Sequence, residues 1–88
     1  MGAVSPEVAR AMAERVRELG QADFGIGITG IAGPGGGSDD KPVGLVYIAV
    51  AGPEGTELTK NIFPGQRADV RWRATQTALD MLRKQLIG

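Results

Sequence analysis

Apolar positions recur with a helical period at the start of the chain, where Val8, Met12, Val16 and Leu19 are spaced four, four and three apart. Ser5-Pro6-Glu7 precedes them. A serine that can cap a free amide, a proline suited to the first helical position and an acid at the positive end of the dipole predict a helix from about Pro6. Its apolar stripe is expected to face the core, with Arg10 and Glu14 paired outside it and Gly20 as the stop. The period then changes to two. Phe24, Ile26 and Ile28 alternate with Gly25 and Gly27, which predicts a strand over 24–29 whose glycine face is closely approached by another backbone or helix. Val43 to Ala51 is almost continuously apolar and predicts a strand buried on both faces. Gly52-Pro53-Glu54-Gly55 marks a turn into Thr56 to Phe63, where Lys60 and Asn61 between Leu58 and Ile62 point to a strand nearer an edge. After Pro64-Gly65, a helix is predicted from about Arg67 to Ile87, with Val70, Ala74, Ala78, Met81, Leu82 and Leu86 as its apolar face. Trp72 lies off that face and is expected to cover another layer or an interface.

The order is helix, strand, glycine loop, strand, strand, helix, an α/β pattern in one domain over residues 1–88. A doubly buried strand needs partners on both sides, and three strands are few beside the five or six of an ordinary sheet. The expectation is therefore an incomplete portion of a larger α/β domain. In 88 residues the buried fraction of surface is modest.

Composition narrows the chemistry. There is no cysteine and no histidine, which removes disulfides, thiolate metal sites, the commonest metal ligand and the commonest general base. Ten basic residues balance ten acidic ones, so no global field recruits nucleic acid or an anionic membrane, and anion binding must be local. No apolar run reaches membrane-spanning length, and a cytoplasmic location is the expectation.

Gly25-Ile26-Gly27-Ile28-Thr29-Gly30 matches G-x-G-x-x-G, but its glycines lie inside the strand and lead to Pro34 instead of opening a helix, so the dinucleotide fingerprint does not fit. Thr29 and the glycine-rich stretch from Gly30 to Gly37 remain, at the exit of a buried strand. Glycines let several backbone amides turn toward one anion, and the C-terminal strand edge is where open α/β sheets bind ligands. The alternative is a loop that only connects strands. Arg67 and Arg71 stand one turn apart at the start of the last helix, where the dipole disfavours cations by about 0.3–1 kcal/mol each. An anion between them would remove that cost; a solvated helix face is the alternative. Ser38 with Lys41 has no partner that would activate a nucleophile, and Asp39-Asp40 supply too few ligands for a divalent cation. No catalytic residue and no metal ligand is assigned.

Gly27-Ile28-Thr29-Gly30-Ile31-Ala32-Gly33-Pro34-Gly35-Gly36, followed by Lys41-Pro42-Val43-Gly44-Leu45-Val46-Tyr47-Ile48-Ala49, closely resembles the C-terminal domain of the competence/damage-inducible CinA family, the nicotinamide-nucleotide amidohydrolases. Gly2-Ala3-Val4-Ser5 and Phe63-Pro64-Gly65-Gln66-Arg67 with Arg71 extend the likeness over nearly the whole chain. The resemblance implies a three-layer α/β/α sandwich and hydrolysis of nicotinamide mononucleotide to nicotinate mononucleotide and ammonia, with no metal or cofactor, in pyridine nucleotide recycling. It implies that Thr29, Gly30, Ala32, Gly33, Gly35 and Gly36 line the substrate pocket and that Arg67 and Arg71 meet the nucleotide phosphate. The family's serine nucleophile lies in a Glu-Ser-Cys-Thr-Gly-Gly segment, and an assisting tyrosine and lysine lie in a second upstream segment; neither is in these 88 residues. The chain is therefore expected to be inactive alone and to associate with copies of itself or with the missing half-domain. A noncatalytic anion-binding or oligomerisation module that keeps the pocket loop is the competing reading.

Overall fold

The computed structural model describes residues 4–30, 44–64 and 67–87. Helix α1 (Pro6–Leu19) is followed by strands β1 (Gly25–Gly30), β2 (Leu45–Gly52) and β3 (Gly55–Ile62), and by helix α2 (Arg67–Ile87). Strand order is β1-β2-β3, both pairs antiparallel. The helices cover opposite faces of the sheet, giving the three-layer α/β/α arrangement.

Side-chain alternation along β2 divides the core in two. Val46, Ile48 and Val50 point to the face covered by α2 and pack with Val70, Ala74, Ala78 and Met81. Ala49 and Ala51 point to the other face and pack with Ala9 and Ala13 of α1. The first layer is thick and branched, the second thin and made of small residues. Seven of the eight β2 residues, all but Tyr47, are buried, as a central strand requires. β3 alternates polar and apolar and forms one edge.

The thin layer corrects the expected orientation of α1. The stripe of Met12, Val16 and Leu19 is not buried; these side chains are 42%, 52% and 68% exposed, while Ala9 and Ala13 are fully covered. The glycine face of β1 explains the rotation. A Cβ added at Gly25 would strike the Ala13 carbonyl, and one at Gly27 would strike the Ala9 carbonyl and lie 2.7 Å from the Ala13 nitrogen. The helix backbone rests almost directly on the strand, and only alanine fits between them. Glu14, expected beside Arg10, accepts a hydrogen bond from the Thr56 hydroxyl of β3 at 2.6 Å.

The N-terminus of α1 is built as expected. Ser5 caps it, its Oγ accepting from the Val8 amide at 3.1 Å, with Pro6 in the first turn. Its C-terminus is not. Gly20 keeps an ordinary helical φ of −85°, and Gln21 takes the left-handed position at φ 49°. The Gln21 amide donates to the Glu18 carbonyl at 3.2 Å and the Ala22 amide to the Arg17 carbonyl at 3.0 Å, the paired bonds of a Schellman ending. In the β2–β3 hairpin, Gly52 pairs with Gly55 across Pro53-Glu54.

Candidate functional site

The antiparallel sheet brings Gly30 of β1, Leu45 of β2 and Ile62 of β3 to one end. Thr29 is half-buried on the face covered by α1, opposite Tyr47. Gly30 is the exposed last residue of β1, paired with Val46; a Cβ there would lie 2.8 Å from the Leu45 carbonyl oxygen, so the two strands approach closely where they part. Ala32, Gly33, Gly35 and Gly36 lie outside the described residues, as do Ser38, Asp39, Asp40 and Lys41. The chain returns at Gly44, whose φ of +92° is a left-handed value suited to glycine and whose carbonyl accepts from the Phe63 amide at 2.9 Å. That bond ties the loop's exit to the segment that leads into α2. Arg67 is the first residue of α2, and Arg71 follows one turn later with an exposed side chain. Val70 belongs to the buried cluster with Val46, Ile48 and Val50, and Gln85 near the other end of α2 donates to the Val50 carbonyl at 3.3 Å, so the start of α2 lies toward this end of the sheet.

Helix α1 begins there as well. Gly25 faces Ala13 and Arg17, and Gly27 faces Ala9 and Met12, so moving along β1 toward Gly30 means moving back along α1 toward Ser5. One end of the molecule therefore gathers both helix N-termini, both ends of the glycine-rich stretch, and Arg67 and Arg71. Helix N-termini present unpaired amides and partial positive charge, and so favour anions. The sequence pairs the loop with the two arginines but gives no sign of α1's contribution, which depends on the direction in which α1 crosses β1.

Register adds a polar row that the sequence does not align. Thr29 stands opposite Tyr47, and Tyr47 opposite Lys60, all on the α1 face two positions or fewer from this end. The row is a product of strand pairing across 31 residues of chain; only the phase of β2, with Tyr47 between Val46 and Ile48, hints at it.

Two grooves among the described residues lie elsewhere. One is lined by Phe24, Pro53, Glu54, Glu57 and Lys84, another by Glu14, Arg17, Glu18 and Pro53, both at the hairpin end and without a candidate residue. Their mixed charges offer no focus for an anion. Among the described residues no cluster of acidic side chains could hold a metal ion, and no helix is long and apolar enough to cross a membrane.

Comparison with known proteins follows the same outline. The family model described as CinA C-terminal domain matches residues 1–86. A CinA-like protein of Koribacter versatilis is 59% identical over 86 residues, covering 98% of this chain and 21% of the relative. A putative competence-damage inducible protein of Moorella thermoacetica is 55% identical over 85 residues, covering 97% of this chain and 20% of the relative. The crystal structure of a competence/damage inducible protein from Agrobacterium tumefaciens superposes with a TM-score of 0.90 at 40% identity, covering 96% of this chain and 52% of that one. The chain thus spans about a fifth of the length of these curated relatives and about half of the solved one.

Proposed function

The chain belongs to the CinA C-terminal domain family, and from that premise we propose that it supplies the mononucleotide-binding end of a nicotinamide mononucleotide amidohydrolase. In that reaction water replaces the amine of the carboxamide, giving nicotinate mononucleotide and ammonia, and returns a pyridine nucleotide to use. The observation that carries the reading is the convergence of Thr29, Gly30, Arg67, Arg71 and the N-termini of α1 and α2 at one end of the sheet. A phosphate monoester carries close to two negative charges and three strong acceptor oxygens at neutral pH, which is what amides at helix starts and forked guanidinium groups satisfy. The charged substrate is retained by a membrane, which suits a cytoplasmic reaction.

Binding and chemistry divide between segments. The Glu-Ser-Cys-Thr-Gly-Gly nucleophile segment of the family is not among the 88 residues, nor is any histidine or cysteine that could substitute for it. The chain is therefore expected to bind the nucleotide and leave its amide intact. Calorimetric titration with nicotinamide mononucleotide and with nicotinamide riboside tests the first half, since the two differ by the phosphate alone. The mononucleotide should bind at least tenfold more tightly, and Arg67→Ala or Arg71→Ala should remove most of that difference, because a hydrogen bond to a charged group is worth roughly 1.5–3 kcal/mol. Equal affinity for the two ligands would refute the phosphate assignment. Ammonia release measured on the same protein tests the second half. Background rates are expected here, and turnover in a longer chain that carries the nucleophile segment; turnover by the 88 residues would move the chemistry to Ser38 and Lys41.

A further inference from the structure

Thr29, Tyr47 and Lys60 stand opposite one another on adjacent strands and share the α1 face. With strands about 4.8 Å apart, the row is about 10 Å wide. Helix α1 stops short of it. Gly27 lies against Ala9, and Thr29 is two residues, about 7 Å, farther along β1. From Ala9 back to Pro6, where α1 begins, is about 4.5 Å. The row therefore emerges at the start of the helix, which accounts for its burial: Thr29 and Tyr47 are half-buried and Lys60 is exposed.

Tyr47 is held from one side by the small-residue layer of Ala9, Ala13, Ala49 and Ala51. It is the one aromatic residue on the α1 face, since Phe24 and Phe63 pack against the α2 layer and Trp72 is on α2 itself. Lys60 is in no ion pair among the described residues. The nearest acids of α1 do not neutralise it. Glu14 accepts from the Thr56 hydroxyl, and Glu7, two turns before it on the same flank, is in no ion pair among the described residues.

An aromatic side chain and a cation on adjacent strands suit a charged ring and the group attached to it. The pyridine ring of a nicotinamide nucleotide is a permanent cation, which the face of a tyrosine attracts. Its substituent is neutral as the amide and anionic as the acid, so a lysine beside the ring distinguishes the two. We propose that Tyr47 and Lys60 are specificity residues for the pyridine end of the mononucleotide, Tyr47 receiving the ring and Lys60 its substituent, so that the site holds the carboxylate product more tightly than the amide substrate. Arg67 and Arg71 belong to the helix on the other face, so a nucleotide held at both ends crosses the end of the sheet. The assignment rests on the amidohydrolase reading and adds to it the residues that read the reacting end.

Calorimetric titration of the 88-residue chain with four ligands provides the test: nicotinamide and nicotinate mononucleotides and the two corresponding ribosides. The nicotinate forms should bind about two- to fivefold more tightly than the nicotinamide forms, the range of an exposed ion pair, with or without the phosphate. Lys60→Met, at an exposed position, should bring that ratio to about one. Tyr47→Leu should weaken all four ligands by about two- to fivefold, whereas Tyr47→Phe, which keeps the ring, should not. Circular dichroism checks that each variant is folded. Arg71→Ala should lower mononucleotide affinity and leave the acid-to-amide ratio as it is. Equal binding of acid and amide, a ratio that survives Lys60→Met, affinities indifferent to Tyr47→Leu, or no binding of any of the four would overturn the proposal. Equal binding of mononucleotides and ribosides, with a ratio abolished by Lys60→Met, would instead refute the phosphate assignment and leave Tyr47 and Lys60 in their roles.

Discussion

Gln21 ends α1 at φ 49°, a left-handed conformation in which a Cβ crowds the following carbonyl at a cost of roughly 1 kcal/mol. Glycine stands one position earlier, where φ is −85° and its freedom is not used. Sequence alone favours Gly20 as the left-handed residue, because glycine is the usual choice; the structure shifts the ending by one, and the side chain of Arg17, donating from Nε to the Asp23 carbonyl at 2.9 Å, holds the turn that follows. Gln21→Gly is expected to raise unfolding free energy by about 0.5–1 kcal/mol in a urea titration, since the bonds to Glu18 and Arg17 are made by backbone and survive the change. The opposite sign is expected at Gly27. Its added methyl would meet the Ala9 carbonyl, the Ala13 nitrogen and the Met12 Cβ, two of them backbone atoms that cannot rotate away. Gly27→Ala should cost about 1–3 kcal/mol, the usual range for overpacking, or more if α1 is lifted from the sheet.

At the scale of elements, periodicity located every helix and strand to within about two residues. It also identified β2 as central and β3 as an edge, because those judgments depend on how many faces are apolar. It misplaced the inner face of α1 for a physical reason. A stripe of Val8, Met12, Val16 and Leu19 is the more hydrophobic side, but burial here is decided by fit against Gly25 and Gly27, and the smallest residues win. The candidate site was legible to the same extent. Thr29, Gly30, Arg67 and Arg71 could be read from residue type and position, whereas the N-terminus of α1 and the Thr29–Tyr47–Lys60 row depend on crossing direction and register, which no local pattern encodes. The C-terminal half of α2 yields a pH prediction. The hydrogen bond from Arg83 at 2.9 Å, with Lys84 at 3.3 Å, holds the Asp80 carboxyl below its ordinary value of 3.8. A depressed carboxylate stabilises the folded state above its unfolded pKa, and that contribution is lost as pH falls through the folded value. Helicity followed by circular dichroism should therefore decline in part below about pH 4 from this group, and Asp80→Asn should remove that part of the decline while lowering helicity slightly at neutral pH.

For the whole molecule, the arrangement of apolar surface matters more than its amount. Trp72 is the single tryptophan and is 64% exposed on α2, on the same flank as Leu79 and Leu86, so its fluorescence reports whether that flank is covered. Large apolar patches on a small protein mark places where another surface belongs. If the 88 residues remain monomeric, the indole is solvated, and acrylamide should quench it with the efficiency of an exposed tryptophan at every protein concentration. Addition of the missing half-domain should then shift emission to the blue and reduce quenching, because Trp72 and Leu79 become covered together. Leu79→Lys should abolish both changes without altering the spectrum of the chain alone, since its side chain is 50% exposed and outside the buried cluster of Val70, Ala74, Ala78 and Met81. Poor quenching in the isolated chain that improves on dilution would identify a second copy of the chain as what covers this flank. The readout separates these cases because self-association depends on the chain's own concentration, whereas docking of the other half follows the concentration of the partner added.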